Sequence, residues 1–123
     1  MQLNEKIKDY ILSKPVLKTE REIGIEVECF VYKRNFSRIP VNKSKEYSAI
    51  DLLNELNYEN NDANGTYSLE PGGQIEWSSP PCKNLLELDD ALASYKILID
   101  SILSNRNLIS LYMGVEPFVD PDS

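Results

Sequence analysis

The strongest constraint on the fold is a Pro-Gly-Gly turn between two short alternating runs. Residues 70–74 read E-P-G-G-Q, and apolar and polar side chains alternate on both sides of them. Pro71 fixes φ near the value that the second position of a type I or II turn requires, and Gly72 or Gly73 can supply the positive φ that follows. The chain is therefore predicted to reverse here as a β-hairpin.

The alternation assigns side chains to faces of this hairpin. Because successive side chains of a strand point to opposite faces, Gln74, Glu76 and Ser78 share one face and the apolar residues between them share the other. Glu70, before the turn, alternates in the same way. If the apolar side chains face a core, the polar face carries both acids that flank the turn.

A second strand carries two more acids. Residues 21–33 alternate strictly, which predicts a strand with Glu26 and Glu28 on one face. Glutamate is depleted in such β-branched runs and like charges repel, although an exposed polar face is the ordinary explanation of an isolated E-x-E. In one sheet, four carboxylates converge on the face opposite the helices. A bound divalent metal is the ordinary remedy for such repulsion.

Composition limits the chemistry further. The 123 residues amount to one domain, and they include no His. Without imidazole, Ser/His/Asp and Cys/His catalysis and the usual transition-metal sites are excluded, and carboxylates alone favour a hard cation such as Mg²⁺. Cys29 and Cys82 match neither a disulfide framework nor a zinc pattern, so we expect free thiols, with Cys29 buried.

Charge and hydropathy bear on partners. The net charge of −7 argues against a nucleic-acid surface, which needs clustered Lys and Arg. No apolar run is long enough to span a membrane, and the N-terminus has no signal-peptide pattern. We therefore expect a cytoplasmic protein without a membrane partner.

The remaining elements complete an α+β order. Periodicity and capping residues predict a first helix from Asn4 to Ser13, for which we expect only a packing role. A second helix is predicted after Ser48, with apolar residues along the side that faces inward, which we call its inward stripe. A long helix from Asn84 to Asn105 and a strand over 108–115 follow, and we assign no function to the polar loop 34–46. The predicted fold is a largely antiparallel sheet with helices on one face. The inward stripes are Ile50, Leu53 and Leu56, then Leu85, Leu88, Leu92, Tyr95, Ile99 and Ile102.

Two motifs resemble a known family. Residues 23–30, I-G-I-E-V-E-C-F, resemble the G-x-E-x-E-x-F stretch of plant-type glutamate-cysteine ligases. Residues 69–78, L-E-P-G-G-Q-I-E-W-S, resemble the L-E-P-G-G-Q-x-E-x-S motif of the same family. A later stretch, residues 113–117, is similar to the family's G-x-G-F-x-P. The resemblance covers roughly residues 20 to 118.

The resemblance implies a carboxylate-amine ligase with a glutamine-synthetase-like fold, of which this chain would hold one β-α-β-β-α unit. Such ligases use ATP to convert the glutamate γ-carboxylate to an acyl phosphate, which the amine of cysteine attacks in the first step of glutathione biosynthesis. Carried over, Mg²⁺ or Mn²⁺ would be held by Glu26, Glu28, Glu70 and Glu76. Gln74 and Ser78 would contact substrate.

The sequence also departs from the family. Cys29 stands where Lys or Gly is more usual, and Ser79-Pro80 replaces a Gly-Ala pair. The chain lacks a Gly-rich phosphate loop. Residues 1–123 are thus predicted to be a single domain or the N-terminal half of a larger catalytic domain. Such a half would be inactive alone and would associate with itself or with a missing second half. The alternatives are a ligase for another amine and a non-catalytic metal-binding or interaction domain.

Overall fold

A computed structural model describes residues 2–13, 18–61 and 64–118. Its four strands form one antiparallel sheet in the order β2-β3-β1-β4. Along the chain, α2 connects β1 to β2 and α3 connects β3 to β4. The predicted α+β class is confirmed, and β1 to α3 follow the β-α-β-β-α order. The elements are α1 (Leu3–Leu12), a 3-10 turn (Lys18–Glu20), β1 (Glu26–Lys33), α2 (Ala49–Asn60), β2 (Thr66–Leu69), β3 (Ile75–Ser78), α3 (Leu85–Asn105) and β4 (Leu108–Leu111).

The predicted hairpin joins β2 to β3 through a three-residue loop. The N–H of Gly73 donates to the carbonyl of Glu70 at 2.8 Å, and the N–H of Glu70 donates to the carbonyl of Gln74 at 2.9 Å. Gly73 has a φ of 85°, whereas Gly72 is not among the residues with positive φ. This is a type I turn closed by a left-handed residue, a common three-residue hairpin connection. The positive φ therefore belongs to Gly73.

The core lies between one face of the sheet and helices α2 and α3. The indole of Trp77 stacks on the ring of Tyr95 at a centroid distance of 4.7 Å and an interplanar angle of 10°. The Trp77 N–H donates to the carbonyl of Asn64 at 2.8 Å, so the buried indole leaves no polar atom unpaired. Trp77 is thus a core residue, as predicted. Other members of this core are Cys29, Val31, Leu52, Leu56, Ile75, Ile99 and Leu103.

Helix caps confirm two predicted starts. The Asn84 side chain accepts from the N–H of Glu87 at 2.9 Å, and α3 then runs to Asn105 as predicted. Ser48 and Asp51 form a reciprocal capping box at the start of α2, because each side chain accepts from the other residue's N–H. Hydrogen bonds from Ser48 lower the pKa of the Asp51 carboxyl.

The inward stripes of both helices were partly wrong. In α2 the fully buried side chains are Leu52 and Leu56, four residues apart, whereas Ile50 and Leu53 are only half-buried. In α3, Leu85 is 75% exposed. The first buried residue of the helix is Ala91, more than one turn further on, so the first turn of α3 lies outside the core. The spacing was therefore correct for a helix, but it did not show which turns reach the sheet.

The ends of three elements also differ from prediction. Helix α1 begins after Gln2 instead of Asn4, and none of its residues is buried, so the expected packing role is wrong for the described structure. Strand β1 begins at Glu26, with one isolated bridge from Ile23 to Cys82 before it. Strand β4 ends at Leu111 instead of 115.

Among the described residues, no helix combines the length and apolar character needed to cross a membrane.

Replacing Gly73 should weaken the hairpin. A Cβ at this position would clash with the guanidinium of Arg38 and lie 2.7 Å from Cγ2 of Val41, in a backbone conformation that L-residues avoid. We expect Gly73→Ala to lower the free energy of unfolding by about 2 kcal/mol. Urea titration followed by Trp77 fluorescence measures this change. Gly114→Ala is the control, since a Cβ there meets nothing within 4 Å. Equal losses in the two variants would contradict the predicted strain.

Candidate functional site

The predicted acids line the sheet face that points away from α2 and α3. Glu28 of β1 lies directly opposite Glu76 of β3, and Glu26 lies opposite Ser78. On the other side of β3, Ser68 of β2 also lies opposite Glu76. Because these pairs are cross-strand neighbours, three of the four predicted acids occupy adjacent positions on two strands.

Glu70 lies at the end of the same face. It follows Leu69, the last residue of β2, and its N–H donates to the carbonyl of Gln74 at 2.9 Å. Since Leu69 is paired with Ile75, the continued register puts Glu70 opposite Gln74. The turn therefore places Glu70 two cross-strand pairs beyond Glu76, in the next pair on the same face and at the border of the acidic face.

The acids differ in their surroundings. Glu26 and Glu28 are exposed, whereas Glu76 is half-buried between two hydroxyl groups. The Oγ atoms of Ser68 and Ser78 lie 3.5 and 3.4 Å from Oε1 of Glu76, longer than a typical O–H···O hydrogen bond, so they hold this carboxylate only weakly.

The oxygen donors suit a hard cation, but the site is not preassembled. Carboxylate and hydroxyl oxygens are ligands that Mg²⁺ accepts. Across the described ranges, no three acidic or Cys side chains are grouped closely enough to hold a metal ion. The sheet register therefore brings Glu28 and Glu76 together, with Glu26 and Glu70 at either end.

Gln74 carries an unsatisfied polar atom on this face. Its Oε1 is buried and has no hydrogen-bond partner in the described structure. The amide packs against Gly72 so closely that a Cβ there would overlap Oε1. A buried acceptor without a donor is costly, so a ligand N–H or O–H group that reaches this oxygen would offset that cost.

Arg38 brings a positive charge to this face that no sequence pattern predicted. Arg38, in the loop to which no function was assigned, lies over the ring of Phe30 at 4.7 Å and donates a hydrogen bond to the carbonyl of Gly72. Its guanidinium also pairs with Glu116, whose carboxylate accepts from the hydroxyl of Tyr32. Burial and the Glu116 contact raise the pKa of Tyr32. A basic side chain in a polar loop gives no sequence signal of this kind.

Two clefts open onto the acidic strands. One has a volume of about 380 Å³ and the other about 280 Å³. A larger cleft of about 580 Å³ lies at the far end of the sheet, where the cations Lys33 and Arg106 pair with Glu46 and Glu55. The two smaller clefts are the ones beside the acids. Their linings include Glu26, Glu28 and Met113 in the first and Gly24, Glu26 and Ser79 in the second.

Neither thiol belongs to the site. Both Cys29 and Cys82 are free, and Cys29 is buried, as expected; Cys82 is buried as well. Cys29 points to the helix side of the sheet, where burial raises its pKa to about 11 although a hydrogen bond with Tyr95 opposes the shift. A thiol with so high a pKa is a poor nucleophile at neutral pH.

One protein-family model matches most of the chain. The family model described as glutamate-cysteine ligase family 2 (GCS2) matches residues 22–123. Because this match covers most of the chain, the chain belongs to that family, which confirms the resemblance to glutamate-cysteine ligases. Searches of curated proteins and of solved structures return no significant match.

Cys29 should make the protein sensitive to alkali. The thiol has an ordinary pKa of 9.0 and a folded pKa of about 11, so its contribution to stability is complete below pH 9 and is lost as the pH rises to 11. From pH 8 to pH 10 we expect wild type to lose about 1 kcal/mol more than Cys29→Ala. Urea titrations of both proteins at the two pH values measure this. Equal losses would show that Cys29 does not titrate as proposed.

Proposed function

We propose that the chain is the N-terminal part of an ATP- and magnesium-dependent glutamate-cysteine ligase. The observation that carries this proposal is the register between two motifs. Glu28, in the G-x-E-x-E strand, lies directly opposite Glu76, in the L-E-P-G-G-Q hairpin, inside the stretch that the family model matches. Two motifs that are distant in sequence thus contribute to one face.

The metal ligands in this proposal are Glu28 and Glu76, supported by Glu26 and Glu70. Like charges directly opposite each other destabilise a sheet, and a bound Mg²⁺ or Mn²⁺ offsets that repulsion. When bound, the ion would neutralise charge on the phosphates of ATP during transfer to the γ-carboxylate of glutamate. The Oγ atoms of Ser68 and Ser78 flank the Glu76 carboxylate at 3.5 and 3.4 Å.

Gln74 and Ser78 are the proposed substrate contacts. The unpaired Oε1 of Gln74 is an acceptor for a substrate N–H group, such as the ammonium of an amino acid. Ser78 is half-buried beside the acids, and its hydroxyl can donate or accept. Both side chains bind and orient in this proposal, and neither takes part in a covalent step.

The rest of the catalytic apparatus would come from outside this chain. The chain lacks a Gly-rich phosphate loop and presents four strands as one open sheet. We infer that a second half or a second copy supplies the missing nucleotide contacts, and that the chain alone is inactive. The ligase would work in the cytoplasm and form γ-glutamylcysteine, the first step of glutathione biosynthesis.

Metal binding tests the acidic face. We expect Mg²⁺ or Mn²⁺ at ten times its dissociation constant to stabilise wild type by about 1.4 kcal/mol, whereas Glu28→Gln plus Glu76→Gln loses this gain. Without metal, Glu28→Gln alone should stabilise the fold by about 0.5 kcal/mol, because it removes a cross-strand repulsion. Urea titration with and without metal measures both effects.

Glu59→Gln is the matched control for these variants. Glu59 is an exposed glutamate near the end of α2, on the helix side of the molecule. Metal should stabilise this variant as it does wild type. Unchanged metal stabilisation in the double variant on β1 and β3 would exclude the proposed site.

Nucleotide binding separates a ligase from a non-catalytic metal-binding domain, because neither is expected to form product as this chain alone. The ligase proposal expects MgATP to bind wild type more tightly than Glu28→Gln in calorimetry, whereas a metal-binding domain takes up the ion without this difference. With glutamate, cysteine and MgATP, mass spectrometry should detect no γ-glutamylcysteine from the chain alone. Product formed when a different amine replaces cysteine in this assay would contradict the inactivity of the chain alone and would support a related ligase.

A further inference from the structure

A carboxylate is already bound at the edge of the acidic face, and it belongs to the chain itself. The carboxylate of Glu116 accepts hydrogen bonds from the hydroxyl of Tyr32 and, at 3.0 Å, from the N–H of Phe118. The Nε of Arg38 lies 3.7 Å from Oε2 of Glu116. A buried phenol and a partly buried guanidinium thus form a small carboxylate pocket on the open side of the sheet.

This pocket adjoins the proposed substrate contacts. Cys29 pairs with Ile75, so the continued register places Phe30, on which Arg38 lies, opposite Gln74. The same guanidinium donates to the carbonyl of Gly72, in the turn that holds the Gln74 amide. The carboxylate pocket and the unpaired Gln74 oxygen are therefore neighbours.

Arg38 keeps capacity for a second carboxylate. The 3.7 Å separation between its Nε and Glu116 is too long for a hydrogen bond. A guanidinium presents five donors in a fixed fork, which matches a carboxylate when two parallel hydrogen bonds form. Glu116 therefore compensates the charge of Arg38 without forming these two parallel hydrogen bonds.

We propose that Arg38 and Tyr32 form a subsite for a carboxylate of the amino-acid substrate, and that Glu116 occupies this subsite from within the chain. The identity of the ligand as glutamate rests on the proposed function. Glu116 is itself a glutamate side chain, so it presents to the subsite the same group that the substrate carries. The substrate carboxylate displaces that of Glu116 and binds both the Arg38 guanidinium and the Tyr32 phenol.

The segment that carries Glu116 is built so that it can leave. Residues 112–115 are exposed and follow the end of β4. Beyond them, Phe118 packs edge-on against Tyr32 at 5.3 Å and in a tilted arrangement against Phe36 at 5.4 Å, yet the residue stays 54% exposed. Few buried contacts mean a low free energy of local opening. An internal competitor on such a segment lowers the apparent affinity for the substrate without abolishing it.

The chain provides a matched control for this arrangement. Tyr47, Glu55 and Arg106 form the same kind of triad at the helix side of the sheet. The Tyr47 hydroxyl donates to Glu55 at 2.6 Å, and Arg106 pairs with Glu55 at 3.0 Å while lying 3.8 Å from the ring centroid of Tyr47. Changes in this triad remove the same groups at a distance from the acidic face.

The test is calorimetric titration of the full chain with L-glutamate, without metal and without ATP. Glu116→Gln keeps the shape of the side chain but removes the competing charge, so it should bind glutamate about tenfold more tightly than wild type. Arg38→Gln should abolish binding, and Arg38→Lys should weaken it because Lys lacks the planar fork. Glu55→Gln and Arg106→Gln should bind like wild type.

Several results would overturn the proposal. The first is that Glu116→Gln and wild type bind glutamate with equal affinity, and the second is that Arg38→Gln still binds it. The third is that the Glu55 or Arg106 variants change affinity as the Glu116 or Arg38 variants do, and the fourth is that no variant binds glutamate. If Arg38→Gln does not fold, Arg38→Lys and Glu116→Gln still decide. Titration with L-glutamine, which keeps only the α-carboxylate, supports an α-carboxylate subsite if it binds and a γ-carboxylate subsite if it does not. Because no metal is present, a failed metal site does not affect this outcome.

Discussion

The pairing of β1 with β3 is the interaction on which the rest of the structure depends. In this register Val27 lies opposite Trp77 on the core face, and Glu28 lies opposite Glu76 on the open face. A slip of one residue would exchange the faces and bury carboxylates beneath the helices, at a cost that a small domain cannot meet. Burial of Trp77 against Tyr95 therefore selects the register, and the register brings the acids together.

The two faces of the sheet oppose each other energetically. The helix side contributes a dry core centred on stacked aromatic rings, whereas the open side places like charges in neighbouring positions. The helix side of the sheet contributes stability, and charge repulsion on the open side removes part of it. Such a loss is common where a protein keeps a site for a ligand. Arg38 moderates this imbalance, since it brings a positive charge to the edge of the acidic face and ties the Gly72 turn to Glu116.

The placement of several candidate-site residues was predictable from sequence because the patterns that set it are local. The Pro-Gly-Gly turn follows from allowed backbone angles, and the alternation around it assigns Gln74 and Glu76 to one face. The cap of α3 at Asn84 is equally local. The errors came from packing: Leu85 has the correct helical spacing but lies before the part of α3 that reaches the sheet, and the apolar residues of α1 find no buried position. Spacing identifies a helix, but it does not identify the surface that covers it.

By itself, the sequence determined the hairpin, the acidic strands and the absence of imidazole chemistry, since turn angles and the two-residue period of a strand are properties of short segments. Only the tertiary structure decided that Glu28 faces Glu76, that Gln74 keeps an unpaired buried oxygen, and that Arg38 lies on the same face. Tyr32 and Glu116 are 84 residues apart, and Arg38 is 34 residues from Gly72. Contacts at such separations depend on how the whole chain packs, and no local pattern encodes them.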